Sequence, residues 1–236
     1  MIKIKNEKLA IIIPYRDREE HRNFFIPAME KHFSILGIKN YTFYFIEQQP
    51  DSLFNRGKLL NVGFQLAKDE NDIFCFHDVD MIPRDLSASY KYNRYSPVHL
   101  SNIVSQFSDS FNPGYFGGVC LFTKEQFSKI NGFYNDFWGW GAEDDDLNIR
   151  VQRRGLVFTK VFGKFDSLSH EPNGDAAGGY AGVETKPHII KNREILAIHI
   201  SDKTYNGSEN GLNNLNFKVL EVHKLSDRSV NLKVII

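Results

Sequence analysis

The stretch DIFCFHDVD, residues 72–80, decides the fold. An apolar, aromatic run from Ile73 to Phe76 ends at His77 and passes straight into Asp78, Val79 and Asp80. A short apolar run that stops at polar residues reads as a buried strand whose carboxyl end opens onto a ligand edge. In extended chain alternate side chains share a face, so Asp78 and Asp80 point one way and Val79 the other. Two carboxylates that close repel unless a cation or hydrogen-bond donors sit between them. A divalent metal held by such acids keeps positions open for substrate phosphate oxygens. The same short pattern also serves as a polar turn capping the next element. Taken alone, it leaves both readings open.

Working outward, residues 8–14 (KLAIIIP) form a β-branched run closed by proline, a second buried strand. Residues 17–36 have helical character, with charges at Asp17, Arg18, Glu19, Glu20 and Arg22 ahead of apolar Phe24, Phe25, Ile26, Ala28 and Met29. Residues 41–46 (YTFYFI) are aromatic and β-branched, another strand, and residues 58–67 read as a helix. Strand, helix, strand, helix, strand is the pattern of a parallel sheet with right-handed crossovers. The expectation is an α/β fold with its ligand edge at the carboxyl ends, where Arg16, Arg18, Asp78 and Asp80 fall. Further on, residues 142–154 read as a helix, 174–182 as a flexible glycine-rich loop, and 215–222 and 229–236 as closing strands. No repeat or linker divides the chain.

The composition narrows the class. With 236 residues, 29 Lys+Arg against 29 Asp+Glu and a pI near 7.1, the chain lacks the basic excess of a nucleic-acid binder. Hydrophobic residues at 42% and charged residues at 25% exclude a disordered or collagenous chain. Aromatics at 14% exceed what a core needs, so some are expected in a binding cleft. Cys75 and Cys120 lie in apolar stretches and read as buried free thiols. No apolar run is long enough for a leader or a membrane span, and the expectation is a cytoplasmic protein in a reducing compartment.

Both tryptophans stand in WGWGAEDDD, residues 138–146. The glycines exclude a stable helix interior, and four consecutive acids then open a helical pattern. Acids in a first turn complement the helix dipole, which is the structural alternative. Yet four in a row repel, and successive residues diverge by about 100° around a helix. One can face the ligand edge while its neighbours reach elsewhere. Flat aromatic faces beside polar acceptors suit a sugar ring.

Six segments, in order along the chain, resemble the β-1,4-galactosyltransferases, metal-dependent inverting enzymes of GT-A fold. They are IIIPYRDREEH (11–21), FNRGKLLNVGF (54–64), FHDVDMIP (76–83), YFGGVCLFTKEQF (115–127), NGFYNDFWGWGAEDDDLNIR (131–150) and ENGLNNLNFKVL (209–220). The resemblance implies one GT-A domain over 1–236, with a Rossmann-like, mostly parallel sheet flanked by helices. Its nucleotide-binding half covers 1–83. The donor-sugar and acceptor half covers 84–236, with a smaller acceptor-binding C-terminal part and a mobile loop about 171–186.

The roles follow from the resemblance position by position. Pro14, Arg16, Arg18, Phe54 and Arg56 match the uridine and diphosphate contacts. Asp78 and Val79 match donor contacts, and Asp80 the direct metal ligand. Gly118, Trp140 and Glu143 match the donor-sugar pocket, Asp144 the catalytic base, and Asp145, with Trp140, the acceptor side. Tyr115 stands where a bulky residue goes with galactose, so the implied donor is UDP-galactose, with UDP-N-acetylgalactosamine or UDP-glucose as alternatives. His170, in VFGKFDSLSH (161–170), matches the second metal ligand, with His199 as the alternative. The family's vertebrate members often carry a methionine ligand where this chain has Ser167, which widens the implied cofactor from Mn²⁺ to Mg²⁺. Residues 171–186 read either as a lid or as a surface insertion.

A nucleotidyltransferase would need a triphosphate-binding signature loop that the chain lacks. A non-catalytic sugar-binding module would keep Trp138 and Trp140 but has no use for Asp80, Asp144 and a histidine ligand together. The partners implied are UDP-galactose and an acceptor glycan. Without an anchor the chain resembles a soluble, bacterial-type member that builds surface polysaccharide, and a lipid-linked acceptor would bring it to a membrane surface.

Overall fold

A computed structural model of the chain describes residues 1–4, 6–49, 52–169 and 186–236. The chain opens with β1 (Leu9–Tyr15), α1 (Glu19–Leu36), β2 (Tyr41–Gln48), α2 (Arg56–Ala67) and β3 (Ile73–His77), the expected alternation. After β3 come β4 (Met81–Pro83), β5 (Val98–His99), β6 (Ile103–Val104), β7 (Val119–Thr123), α3 (Lys124–Lys129) and α4 (Glu143–Arg153). The remainder holds β8 (Thr159–Lys160), β9 (Lys164–Ser167), α5 (Pro187–Ser201), β10 (Lys218–Ser226) and β11 (Ser229–Ile235).

Eight strands form one sheet in the order β10-β11-β2-β1-β3-β7-β5-β8. Its centre, from β11 through β2 and β1 to β3, is parallel, and β7 then runs antiparallel to β3. Strands β4, β9 and β6 make a small second sheet. All seven residues of β1 are buried, which explains its unbroken apolar sequence: helices cover both faces. Leu9, Ile11 and Ile13 pack on one side with Phe25, Met29 and Phe33 of α1. Ala10 and Ile12 pack on the other with Leu59, Leu60 and Phe64 of α2. Both core clusters draw on strands from either half of the chain.

The aromatic surplus goes mostly to this core. Phe25, Phe33, Phe43, Phe45, Phe74 and Phe76 are fully buried, and only a few rings, Trp140 among them, reach the surface. Cys75 and Cys120 are buried free thiols, and burial pushes both well above the ordinary cysteine range. No helix among the described residues is long and apolar enough to cross a membrane.

The topology sets the position of the ligand edge. Because β7 reverses direction beside β3, the carboxyl end of β3 meets the start of β7, with His77 opposite Val119 and the Asp78 N–H donating to the Gly118 carbonyl at 3.1 Å. Beyond β3, the β4–β9 pairing lays Met81 opposite Ser167, and the Leu168 N–H donates to the Asp80 carbonyl at 2.8 Å.

Candidate active site

Arg56 stands at the centre of the site. It is the first residue of α2, whose N-cap Asn55 accepts from the Lys58 N–H. Its Nε donates to Asp78 Oδ1 at 2.6 Å and its Nη1 to Asp144 Oδ1 at 2.7 Å, with Glu143 Oε1 3.8 Å from Nη1. One guanidinium therefore ties the end of β3 to the first turn of α4. Three acids around one cation leave the group negative overall, a setting that attracts a further cation or polar hydrogens of a ligand.

The four acids that open α4 divide as a helical turn dictates. Glu143 and Asp144 face Arg56, and Asp145 is exposed. Asp146, turned about 200° from Asp144, is fully buried with Arg150 at 2.7 Å. Burial, reinforced by each other's charge, raises Glu143 above the ordinary glutamate range. Burial likewise raises Asp144, with Arg56 pulling the other way. Although Asp145 is exposed as a residue, partial desolvation of its carboxyl raises it too. A carboxylate so raised holds a proton more readily than one in water, which suits a general base.

Gly117 and Gly118 form the floor. A Cβ at Gly117 would lie 2.6 Å from Asp144 Oδ2 and 2.9 Å from the Tyr115 hydroxyl, and a Cβ at Gly118 would lie 3.0 Å from the same hydroxyl. Gly118 also has φ +79°, a conformation side chains disfavour. Only glycines let Tyr115 and Asp144 come together here. Tyr115 is held from behind: Lys160 Nζ donates to its carbonyl and to that of Pro113, each at 2.6 Å. Burial and the charges of Asp78 and Asp144 hold the Tyr115 phenol well above its usual range.

On the nucleotide side, Arg16 donates to the Ser52 carbonyl at 2.8 Å and lies over the Phe54 ring, 5.3 Å from its centroid. Arg18 Nη1 is 3.4 Å from Asp80 Oδ2. Pro14 is buried at the end of β1. Val79 is 5% exposed, with its side chain in the core, so its main chain is the part that faces the ligand edge. Trp140 is 39% exposed at the rim.

The two histidine candidates fare differently. His170, with the whole of 171–185, lies outside the described residues. The structure places the alternative, His199, in another network. Its Nδ1 is 2.7 Å from Asp146 Oδ1 and its ring stacks on Tyr205 at 3.8 Å, on the side of α4 turned away from Asp144. Among the described residues no three ligating side chains gather into a metal cluster. Asp80 nonetheless offers a hard carboxylate oxygen, beside Arg18 and partly open, which fits Mn²⁺ or Mg²⁺ with phosphate oxygens filling most of the shell.

Sequence reasoning missed the residues that brace this site. Asn55 Nδ2 donates to the Asn135 carbonyl, Asn61 Nδ2 to the Phe133 carbonyl and Asn135 Oδ1, and Asn135 Nδ2 to the Gly211 carbonyl and Asn214 Oδ1. These buried amides join α2 to the chain before α4 and to residues 210–214. Their signal was present in the motifs FNRGKLLN and ENGLNN, as asparagines where a core would favour apolar residues.

Helices on both faces of this sheet, with acids and arginines at its ligand edge, are an arrangement the chain shares with GT-A glycosyltransferases of known structure. A mutant of the Drosophila β1,4-galactosyltransferase 7, solved with manganese, UDP-Gal and xylobiose, matches with a TM-score of 0.77 and 26% identity, covering 98% of this chain and 94% of that one. The model for the N-terminal region of glycosyl transferase group 7 matches residues 4–93, and that for the N-terminal domain of galactosyltransferase matches residues 98–171. The chain belongs to the β-1,4-galactosyltransferase family, glycosyl transferase group 7. It is 35% identical to the mouse β-1,4-galactosyltransferase 1 over 94% of its own length and 53% of that protein's. It is 42% identical to a Lymnaea stagnalis β-N-acetyl-D-glucosaminide β-1,4-N-acetylglucosaminyl-transferase over 77% of this chain and 36% of that one. The chain spans about half the length or less of these curated relatives.

Proposed function

We propose that the protein is an inverting, metal-dependent galactosyltransferase. It moves galactose from UDP-galactose to a hydroxyl of an acceptor sugar and forms a β-linkage, β-1,4 by family likeness. The observation that carries this reading is the Arg56 clamp, which sets Asp144 2.7 Å from a cation shared with Asp78 at the ligand edge. A sugar-binding module has no need to hold a raised carboxylate there.

Asp144 takes the proton from the acceptor hydroxyl as that oxygen attacks C1 of the sugar, on the face opposite UDP. Arg56 occupies Asp144 Oδ1 and so leaves Oδ2, beside Gly117 and Tyr115, for the acceptor. Asp78 holds Arg56 at Nε, and Glu143 lies near the same Nη1 that bonds Asp144, fixing the fork. Arg16 and Arg18 take up charge on the departing diphosphate. Asp80 and, in this proposal, His170 would hold Mn²⁺ or Mg²⁺, which would supply positive charge beside the phosphates. Asp145 is assigned to the acceptor hydroxyls and Trp140 to the sugar face. In this reading the chain divides at about residue 83 into nucleotide and sugar halves, and it works in the cytosol with a glycan or lipid-linked glycan acceptor.

By family likeness Tyr115 stands where a bulky residue goes with galactose rather than N-acetylated sugars, and its hydroxyl lies against the Gly117–Gly118 floor. The likeness to the Lymnaea protein supports a second reading, an N-acetylglucosamine donor. A UDP-release assay decides between them: UDP-galactose against a panel of acceptor sugars, beside UDP-N-acetylglucosamine, with and without EDTA. Release only from UDP-galactose, lost with EDTA and reduced on the order of a thousandfold in Asp144→Asn while UDP still binds, is the expected result. Equal turnover in Asp144→Asn would overturn it.

A further inference from the structure

Helix α5 left no clear mark in the sequence, yet it touches the sugar side of the site through one amide. Asn192 is 2% exposed. Its Nδ2 lies 3.0 Å from the Trp138 carbonyl, 3.2 Å from that of Trp140 and 3.2 Å from that of Gly141. Two N–H bonds thus serve three carbonyls of one loop. One turn earlier, the His188 ring lies against Gly139, where a Cβ would collide with it. From the opposite side the Gly139 N–H donates to the Phe54 carbonyl at 2.8 Å.

Gly139 and Gly141 have φ of +77° and +95°, so this stretch has little backbone preference of its own. The conformation seen here therefore depends on outside contacts. Asn192 reaches three of its carbonyls, and the loop runs directly into Glu143 and Asp144.

We propose that Asn192 is a positioning residue. It fixes the main chain of residues 138–141, and through it sets Trp140 and the first turn of α4 against the substrate sugars. The claim deepens the galactosyltransferase reading and rests on it for its catalytic consequence, but not for its structural one.

Both tryptophans of the chain lie in this loop, so intrinsic tryptophan fluorescence reports on the loop and nothing else. Asn192→Asp keeps the shape and removes the N–H donors, and Asn192→Ser is a milder second variant. The expected result is a shift of emission to longer wavelength and stronger acrylamide quenching, well below the melting temperature and with unchanged far-UV circular dichroism. Transfer kcat/KM should fall on the order of a hundredfold, as for a misplaced reacting group, while UDP affinity stays close to wild type. Emission and quenching identical to wild type in a folded variant would overturn the proposal whatever the activity. So would failure of both variants to fold, which would make Asn192 a plain core residue. A fluorescence change in a protein whose wild type transfers no sugar would leave the tether standing and remove the galactosyltransferase reading instead.

Discussion

Arg56 and Asp144 are joined at 2.7 Å across 88 residues of chain. The bond links the nucleotide end of the sheet directly to the helix that carries the proposed base. Arginine suits it because a planar fork reaches Asp78 and Asp144 at once, which a lysine cannot do.

Arg56→Lys is therefore expected to keep the charge and lose the geometry. Transfer kcat/KM should fall on the order of a hundredfold or more, read by UDP release, with the melting temperature lowered only modestly. Activity within twofold of wild type would show that the fork is dispensable.

Glu143 gives a pH-dependent prediction. Its folded value is raised by burial and by the Asp144 charge, so its contribution to stability is present below the ordinary glutamate range and is lost as pH rises through the raised value. Glu143→Gln removes the charge that burial penalises. Chemical denaturation should find the variant about 1–2 kcal/mol more stable than wild type at pH 8, with the gap closing toward pH 4. A gap that widens on acidification would contradict the sign.

Ala142, the N-cap of α4, has φ +78°, a left-handed conformation that costs an ordinary residue about 1 kcal/mol or more. Alanine to glycine usually destabilises a helix. Here Ala142→Gly should stabilise the protein by about 1 kcal/mol, measured by urea denaturation, because the strain disappears. A loss of stability would mean that the backbone does not hold this conformation in solution.

Ser167 bears on metal choice. Its hydroxyl donates to Gln106 at 3.2 Å, and it lies opposite Met81, one residue past Asp80. With no soft thioether at this position, Mg²⁺ should restore a substantial share of the activity that EDTA removes. Ser167→Met should shift the preference toward Mn²⁺. Restoration by Mn²⁺ alone in the wild type would remove the argument.

The central sheet was legible because β1 and β3 are buried on both faces and read as continuous apolar runs, while β2, alternating buried and half-buried, still reads as aromatic and β-branched. Helical geometry alone said only that one of the acids Glu143 to Asp146 could face the ligand edge while its neighbours reach elsewhere; the resemblance to the family, not the geometry, singled out Asp144. The small β4–β9–β6 sheet was not, since strands of two to four residues carry no periodic signal. Helix α5 hid because its isoleucines do not sort by face: Ile189 is buried while Ile190, Ile198 and Ile200 are exposed. The buried asparagines escaped for a different reason. An amide bonded to distant main chain leaves no local pattern, and Asn192 reads like any polar helix residue until its carbonyl partners are seen.

The meeting of β3 with the reversed strand β7 also bears on how such enzymes diversify. Since the Gly118 carbonyl is pinned to the Asp78 N–H, the segment between β6 and β7 is anchored at its exit whatever its length. Insertions, deletions or grafts in residues 105–114 can reshape the rim that a new sugar would encounter while the reactive carboxylates stay where they are.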